Sequence, residues 1–387
     1  MVRAAILTAV LILCGAGAAQ AQLVPLPPQP ADAPWPTVEW ADGPLAADVD
    51  QASLDLALTE AFAGPHPDLG ETRAVVIVQG GRIVAERYGD NYDRNTRLIS
   101  WSMAKSVTQA LVGAAVLQGR VNPDAAMGNP IWRAHDARAH LSWRTWMQMV
   151  DGQPWSEMHA KGVLDNDSAR MLFGEGRADT AGFAARRLLI HQPRTVWNYN
   201  SGGVVLVADA LTRAIVPDPR DVTERRTRMG AWMNQSLFAP IGMHPIVQYD
   251  AAGTFYGSAE IYATARDFAR FGLLYLRGGV WDGTRLLPEG WVDFARTPGP
   301  DADVYGAGWW LTASRGTGHP VRGLLTDNAL ADGFSAQGHE GQLILVAPLK
   351  DLVIVRLGRF EDNSDRWDRL GDWMQRVVHC FGNRPAV

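Results

Sequence analysis

The pattern of apolar residues predicts strands at both ends of the chain. Near the N-terminus, two runs rich in β-branched side chains are joined by Gly80-Gly81, a pair typical of a hairpin turn. Near the C-terminus, two further runs are joined by the turn-forming residues 348–351. The predicted strands span 74–79, 82–88, 342–346 and 352–357. We therefore expect one antiparallel sheet assembled from the two ends of the chain.

Between these hairpins, apolar residues recur at helical spacing. Thr264 and Asp267 stand where a capping box begins a helix, and Gly119 stands where a C-cap ends one. The predicted helices span 48–63, 143–150, 180–190, 203–215 and 264–276, with one from the segment 99–106 to residue 117 and a terminal one over 367–378. The predicted fold is an α/β domain plus an all-α domain: an antiparallel sheet with flanking terminal helices and an inserted helical domain.

Composition divides the chain into four parts. Six prolines between residues 22 and 37 exclude a helix or a central strand there, and they predict an extended linker or a strap over the surface. The predicted parts are a signal peptide at 1–21, a Pro-rich extension at 22–46, an α/β domain formed by 47–100 and 300–387, and a mainly helical domain at 101–299.

The first residues have the layout of a cleavable secretory signal. Arg3 precedes a mostly apolar stretch that ends in the small-x-small sequence Ala19-Gln20-Ala21, so we expect a periplasmic or secreted protein without an integral membrane segment after cleavage. Lipid attachment at Cys14 is the less favoured alternative, because Leu13 is not small. Cleavage leaves Cys380 as the only cysteine, which excludes an intramolecular disulfide.

The charge balance narrows the class of partner. The chain carries 36 basic and 41 acidic residues, a net charge of −5. This balance argues against a nucleic-acid partner and against electrostatic attachment to a membrane. The sequence does not predict an oligomeric state.

The strongest chemical signal is Ser102 followed three residues later by Lys105. A helix would place the hydroxyl and the amine on one face, where a proton can pass between them. Only three of the 36 basic residues are lysines, which indicates that an amine is needed at this position, because a guanidinium does not release a proton near neutral pH. The alternative is a surface lysine next to a serine that caps a helix.

Two other segments carry candidate chemistry. Tyr199 and Ser201 lie two residues apart just before a predicted helix, and His339 and Gly341 lie in a glycine-flanked turn that leads into a predicted strand. A packed aromatic residue and a simple turn residue are the respective alternatives. Neither Gly-x-Ser-x-Gly nor His-Glu-x-x-His occurs, so the sequence indicates no metal and no other cofactor.

Taken together, Ser-x-x-Lys, Tyr-x-Ser and His-x-Gly resemble the motifs of the serine beta-lactamase and penicillin-binding superfamily. The resemblance extends over about residues 70–380, and it is closest to the class C-like branch with its esterases and 6-aminohexanoate-oligomer hydrolases. It implies a beta-lactamase/transpeptidase-like fold, in which an α/β domain faces an all-α domain. The serine is expected at the N-terminus of a helix between them.

The resemblance also implies roles for individual residues. Ser102 would form an acyl-enzyme, with Lys105 and Tyr199 as general base and acid. The remaining implied residues are Ser201 and Gly341 in substrate binding, His339 at the position of a substrate-binding lysine, and the backbone N–H groups of Ser102 and Gln342 as the oxyanion hole.

Histidine in place of that lysine changes the expected substrate. Lysine supplies a permanent cation for the carboxylate of penicillins or D-alanyl peptides, whereas the imidazole of His339 is largely neutral at pH 7. Arg194, near the predicted cleft, is a cation without an assigned role. We therefore expect an exported serine hydrolase whose partner is a small-molecule ester or amide substrate. The alternatives are a beta-lactamase, a D-Ala-D-Ala carboxypeptidase, or a catalytically silent binding protein on the same scaffold.

Overall fold

The computed structural model describes residues 23–157, 166–311, 333–361 and 364–384. The predicted signal peptide and Cys14 lie outside the described residues. The helices are α1 (Gln51–Ala61), α2 (Ala104–Leu117), α3 (Trp143–Met147), α4 (Asp167–Phe173), α5 (Thr180–Ala185), α6 (Ser201–Ile215), α7 (Val222–Met233), α8 (Ala265–Leu276), α9 (Trp291–Arg296) and α10 (Ser364–His379). The strands are β1 (Glu71–Gln79), β2 (Arg82–Tyr88), β3 (Leu98–Ile99), β4 (Ile246–Val247), β5 (Ile261–Ala263), β6 (Val280–Trp281), β7 (Thr284–Arg285), β8 (Trp310–Leu311), β9 (Phe334–Gly338), β10 (Gln342–Ala347) and β11 (Leu352–Arg359).

The main sheet joins the two ends of the chain, as predicted. Its six strands follow the order β2-β1-β11-β10-β9-β8. The N-terminal hairpin meets the C-terminal hairpin where β1 runs antiparallel to β11, with Val76 opposite Val355. Strands β1, β10 and β11 are almost entirely buried, which explains why they appear in the sequence as continuous apolar runs. The predicted fold class is confirmed.

Helices cover both faces of this sheet. One face packs against α1 and α10, where Leu54 and Trp373 join the apolar side chains of β1 and β11. The other face packs against α8. A Cβ atom at Gly272 would lie 2.6 Å from Val353 Cγ1, so this glycine permits the close approach of α8 to the sheet. The remaining core lies among α2, α3, α5 and α6, beside the sheet.

Two helix ends lie where the capping residues in the sequence predict them. Thr264 Oγ1 accepts a hydrogen bond from Asp267 N at 3.0 Å, and Thr264 N donates to the Asp267 carboxylate, so the predicted capping box begins α8. At the end of α2, Gly119 has a φ of +69°, and Arg120 N donates to Ala115 O at 2.8 Å. This geometry is that of a Schellman motif, for which glycine is favoured.

Three predicted helices are shorter than expected, and the first of them spans Gln51–Ala61 instead of 48–63. The helix predicted over 143–150 ends at Met147, and Met149 has a φ of +59° that a helix does not allow. The helix predicted over 180–190 ends at Ala185, because the following chain bonds instead to the Gly152 carbonyl, which accepts from Ile190 N at 2.9 Å. Helices α4, α7 and α9 were not predicted.

The Pro-rich extension is a strap. Arg270 Nε donates to Pro36 O at 2.7 Å, Arg277 Nε donates to Gln29 Oε1 at 2.9 Å, and the rings of Trp35 and Trp281 lie 5.0 Å apart. The extension therefore packs along the end of α8. Among the helices of the described residues, none has the length and apolarity needed to cross a membrane.

Candidate active site

The turn that carries Ser102 is fixed from both sides. Strand β3 pairs with β5 immediately before it, and the buried Ser100 donates from its backbone N to Ile261 O at 2.8 Å and from its hydroxyl to Ala259 O at 2.5 Å. Trp101 then adopts a φ of 43°, a strained conformation for this residue type that is concentrated at functional sites. A single 3-10 turn, Trp101–Met103, leads into α2. Ser102 thus stands at the start of a helix, as predicted.

Lys105 lies within hydrogen-bond distance of Ser102. Its Nζ atom is 2.8 Å from Ser102 Oγ and donates to Ser258 O at 3.1 Å. The side chain is buried, with 2% of the residue exposed, so the alternative of a surface lysine is wrong. Burial lowers the pKa of Lys105 to about 8, although the negative charge of Glu157 acts in the opposite direction. At pH 7 a minority of this amine is therefore neutral, and the neutral share rises to about half near pH 8.

Tyr199 presents its ring to the same amine. Lys105 Nζ lies 4.8 Å from the ring centroid, which is a cation–π distance when the amine is protonated. Trp310 stacks on the Tyr199 ring at 5.0 Å, and Tyr305 contacts it edge-on at 5.8 Å. These rings hold Tyr199 from two directions. That the Tyr199 hydroxyl lies within reach of Ser102 Oγ stays a prediction.

Ser201 is the first residue of α6, which begins two residues earlier than predicted. The side chain of Asn200 caps the helix by accepting a hydrogen bond from Gly203 N at 2.8 Å. Because Tyr199 and Ser201 flank this cap, the geometry of the cap sets the position of both residues. Ser201 itself is buried.

Residues 149–157 run alongside the Tyr199 motif and form hydrogen bonds with it. The sequence analysis did not identify this segment. Asn198 N donates to Met149 O at 3.0 Å, and Asn198 Nδ2 donates to Trp155 O at 3.1 Å. Farther along, Ser201 N donates to Glu157 Oε1. The segment 149–157 has no hydrophobic periodicity and no motif, so the sequence contains no signal that predicts its contacts.

The segment 149–157 contains a buried carboxyl group, that of Asp151. Asp151 accepts a hydrogen bond from Gln153 N at 2.9 Å, and Asn200 Nδ2 lies 3.4 Å from its Oδ1 atom. Burial raises the pKa of Asp151 to about 6, because these hydrogen bonds only partly offset the loss of solvent. Asp151 therefore contacts the side chain that caps α6, and its carboxyl group loses its proton near pH 6.

On the sheet side, the end of β9 packs against the nucleophile turn. A Cβ atom at Gly338 would lie 2.2 Å from Ser100 O, so only glycine permits this approach. The next residue, His339, places its ring edge-on to Trp101 at 5.2 Å, and Phe173 contacts Trp101 from the helical side at 6.4 Å. His339 is thus a neighbour of the turn that carries Ser102.

Gly341 and Gln342 follow His339 and complete the turn from β9 into β10. Gln342 begins β10, between β9 and β11, and its side chain bonds to both backbone polar groups of Gly358, accepting from N at 3.0 Å and donating to O at 2.7 Å. Gly341 has a φ of +84°, and its α-carbon faces Phe360 and Arg356. The structure therefore brings Ser102, Lys105 and Tyr199 together and orders the Gly341–Gln342 turn from the β11 side.

Known proteins are similar to this chain in sequence and in fold. Residues 71–372 match the family model described as Beta-lactamase. The chain is 25% identical over 332 residues to the 6-aminohexanoate-dimer hydrolase of Paenarthrobacter ureafaciens, covering 80% of each chain. It superposes on a Bacillus anthracis protein provisionally named a 6-aminohexanoate-dimer hydrolase, with a TM-score of 0.67 and 18% identity over 92% of this chain and 90% of that one. EstCE1, described as a hydrolase with promiscuous acyltransferase activity, gives a TM-score of 0.59 and 15% identity over 85% and 97%.

Proposed function

The chain belongs to the beta-lactamase family, whose members named above are hydrolases, and on this premise we propose that it cleaves ester or amide bonds through an acyl-enzyme on Ser102. The observation that carries the proposal is the buried Lys105 amine, 2.8 Å from the Ser102 hydroxyl. A serine hydroxyl is a weak nucleophile unless a base removes its proton, and a partly neutral amine at this distance is such a base.

In the acylation step, Ser102 Oγ forms a bond to the substrate carbonyl carbon while its proton moves to Lys105 Nζ. The π-electron pair of the carbonyl moves to its oxygen. When the tetrahedral intermediate collapses, that pair re-forms the carbonyl, the bond to the leaving group breaks, and the leaving oxygen or nitrogen takes a proton from Lys105 or Tyr199. Water then attacks the acyl-enzyme by the same sequence in reverse.

The oxyanion needs two hydrogen-bond donors. We assign the first to the backbone N–H of Ser102 and the second to the glycine-flanked turn that follows Gly338 and ends at Gln342, the residue predicted from the sequence. The close approach of Gly338 to Ser100 O supports a donor from this turn. Ser201 and His339 flank the reacting centre as substrate contacts.

The substrate is proposed to be an ester or amide rather than a beta-lactam. His339 stands beside Trp101 where lactam-binding members of the family have a permanently charged lysine, so a substrate carboxylate has no fixed cation at this position. The name of the 25%-identical relative indicates that it hydrolyses an amide, which supports an amide rather than a beta-lactam as the substrate.

The test uses a p-nitrophenyl ester, nitrocefin and a fluorophosphonate probe. We expect ester turnover and probe labelling in the wild-type protein and neither in Ser102→Ala, with Ser106→Ala as a control on the same helix. Unchanged ester turnover in Ser102→Ala would contradict the proposal. A folded wild-type protein without labelling would favour the silent binding protein, and nitrocefin turnover faster than ester turnover would favour a beta-lactamase.

Export is part of the same proposal. Its support is the sequence pattern of residues 1–21 alone, with Arg3 before the apolar stretch and Ala19-Gln20-Ala21 at its end. We expect the N-terminus of the protein recovered from its native cells to be Gln22. An N-terminal sequence that retains residues 1–21 would contradict export by cleavage.

A further inference from the structure

Glu157 is a carboxylate at the site to which no motif assigns a role. Its Oε1 atom accepts a hydrogen bond from Ser201 N, and its Oε2 atom accepts one from Ser168 Oγ at 2.5 Å. Both donors are neutral, so neither balances the charge of the carboxylate. In the described part of the chain, this charge acts on Lys105: Glu157 raises the pKa of that amine, whereas burial lowers it.

The position of Glu157 is fixed by the elements around it. Ser201 N belongs to the first turn of α6, where backbone N–H groups have no partner within the helix and the helix dipole favours a negative charge. Ser168 Oγ also accepts a hydrogen bond from Trp155 Nε1 at 2.9 Å. The carboxylate is therefore held between α4 and α6.

This charge matters when a proton reaches Lys105. As Ser102 attacks the substrate, the amine becomes an ammonium in a buried site, and burial alone opposes that change. We infer that Glu157 is a positioning residue for acyl transfer: it fixes the first turn of α6 beside Tyr199 and supplies the negative charge that stabilises the Lys105 ammonium. The inference rests on the proposed Ser102 chemistry.

Among the residues that the structure describes, the other groups that contact Lys105 do not supply this charge. Ser102 Oγ and Ser258 O are neutral hydrogen-bond partners, and Tyr199 presents its ring face. Tyr305, behind Tyr199, is fully buried, and burial raises its pKa well above the usual value, so it stays neutral. Burial and Glu157 are thus the opposing influences on the charge of Lys105.

The test compares Glu157→Gln with Ser168→Ala. Glutamine keeps a carbonyl oxygen for Ser201 N but removes the charge. We expect the acidic limb of the kcat/KM profile for a neutral ester to move to lower pH by about 0.5–1 unit, because the ammonium is less stable, and the plateau kcat to fall several-fold. KM should change by less than about twofold. Ser168→Ala removes one hydrogen bond and keeps the charge, so its midpoint should match the wild type.

Two results overturn the inference. One is a Glu157→Gln profile with the wild-type midpoint. The other is an equal loss of kcat in both variants without any shift in the midpoint, which would show a purely structural role. Fluorophosphonate labelling separates the two levels of proposal: absence of labelling in the folded wild type overturns the Ser102 chemistry itself, whereas a labelled wild type with an unshifted variant overturns only the role of Glu157.

Discussion

The carbonyl oxygen of Ser258 accepts a hydrogen bond from Lys105 Nζ at 3.1 Å, and this contact occupies one N–H group of the amine. A neutral amine has two N–H groups and one lone pair. A carbonyl oxygen can only accept a hydrogen bond, so it takes an N–H group. The lone pair is then available to the Ser102 hydroxyl, 2.8 Å away, as a general base requires.

The activity should depend on pH through Lys105. Its pKa is lowered from 10.5 to about 8, and the neutral form is the active base, so kcat/KM for a neutral ester should rise with pH, reach half its maximum near pH 8 and level off above it. Steady-state rates between pH 5 and 10, corrected for spontaneous hydrolysis, measure this profile. A flat profile between pH 6 and 9 would argue against lysine as the base.

Replacement of Lys105 by Arg should remove the activity even though the positive charge is kept. A guanidinium does not lose its proton in this range, so kcat/KM should fall by about 10³-fold or more, and pH 10 should not restore it. Lys350→Arg is the matched control, because Lys350 is also buried but donates to Phe381 O on the other side of the sheet. More than a tenth of wild-type activity in Lys105→Arg would contradict the assignment.

Gly338→Ala should misplace the nucleophile turn. The added Cβ atom would meet Ser100 O at 2.2 Å, and because φ is −132° the effect is steric rather than a consequence of backbone strain. We expect a loss of kcat of at least about tenfold and a loss of stability of about 1–3 kcal/mol.

Gly230→Ala provides the comparison for Gly338→Ala. Gly230 lies in α7, and the nearest atom to its added Cβ would be Tyr249 Oη at 3.3 Å. Alanine favours a helix over glycine by up to about 1 kcal/mol, so this variant should keep its activity and its stability. Thermal unfolding and ester turnover measure both variants. Equal activity of the two would show that β9 does not set the position of Ser102.

Asp151→Asn should stabilise the protein at alkaline pH. Burial raises the pKa of Asp151 from 3.8 in the unfolded chain to about 6 in the folded one. Its favourable contribution is complete below the unfolded pKa and is lost as the pH rises through 6. The variant should therefore be more stable than the wild type by about 1–3 kcal/mol at pH 8 and nearly equal to it at about pH 3.5, below the unfolded pKa. Urea unfolding at both pH values measures this difference, and a gain of equal size at both would point to packing instead.

The sequence predicts those parts of the site in which residue type and spacing coincide. Ser102 and Lys105 are close in sequence, lysine is rare, and the buried strands β1, β10 and β11 are apolar throughout, so a single chain is sufficient to find them. Strand β9 escapes prediction because its residues include Ser335, Gln337 and Gly338, and its pairing is supplied by β10.

The contacts that position Tyr199 and Ser201 could not be predicted for a different reason. Glu157 and Asp151 reach partners 44 and 49 positions away, across a segment without periodicity. Their importance comes from burial and from the location of a helix end, and neither is visible until the chain is folded. Trp310 and Tyr305 likewise contact the Tyr199 ring only because the fold places them beside it, more than 100 positions away in sequence.

The pairing of β1 with β11 also has a consequence for biosynthesis. Leu69, just before β1, accepts a hydrogen bond from Arg356 Nη2 in β11, 287 positions later. During translation, β1 cannot pair with β11 until nearly the whole chain has been synthesised. Until then, its apolar residues Val75 to Val78 are exposed to other molecules. Contacts of such long range also slow folding. The final strands are therefore needed to complete the sheet against which the nucleophile turn packs, and a ribosome-stalled chain that lacks them is expected to bind chaperones rather than substrate.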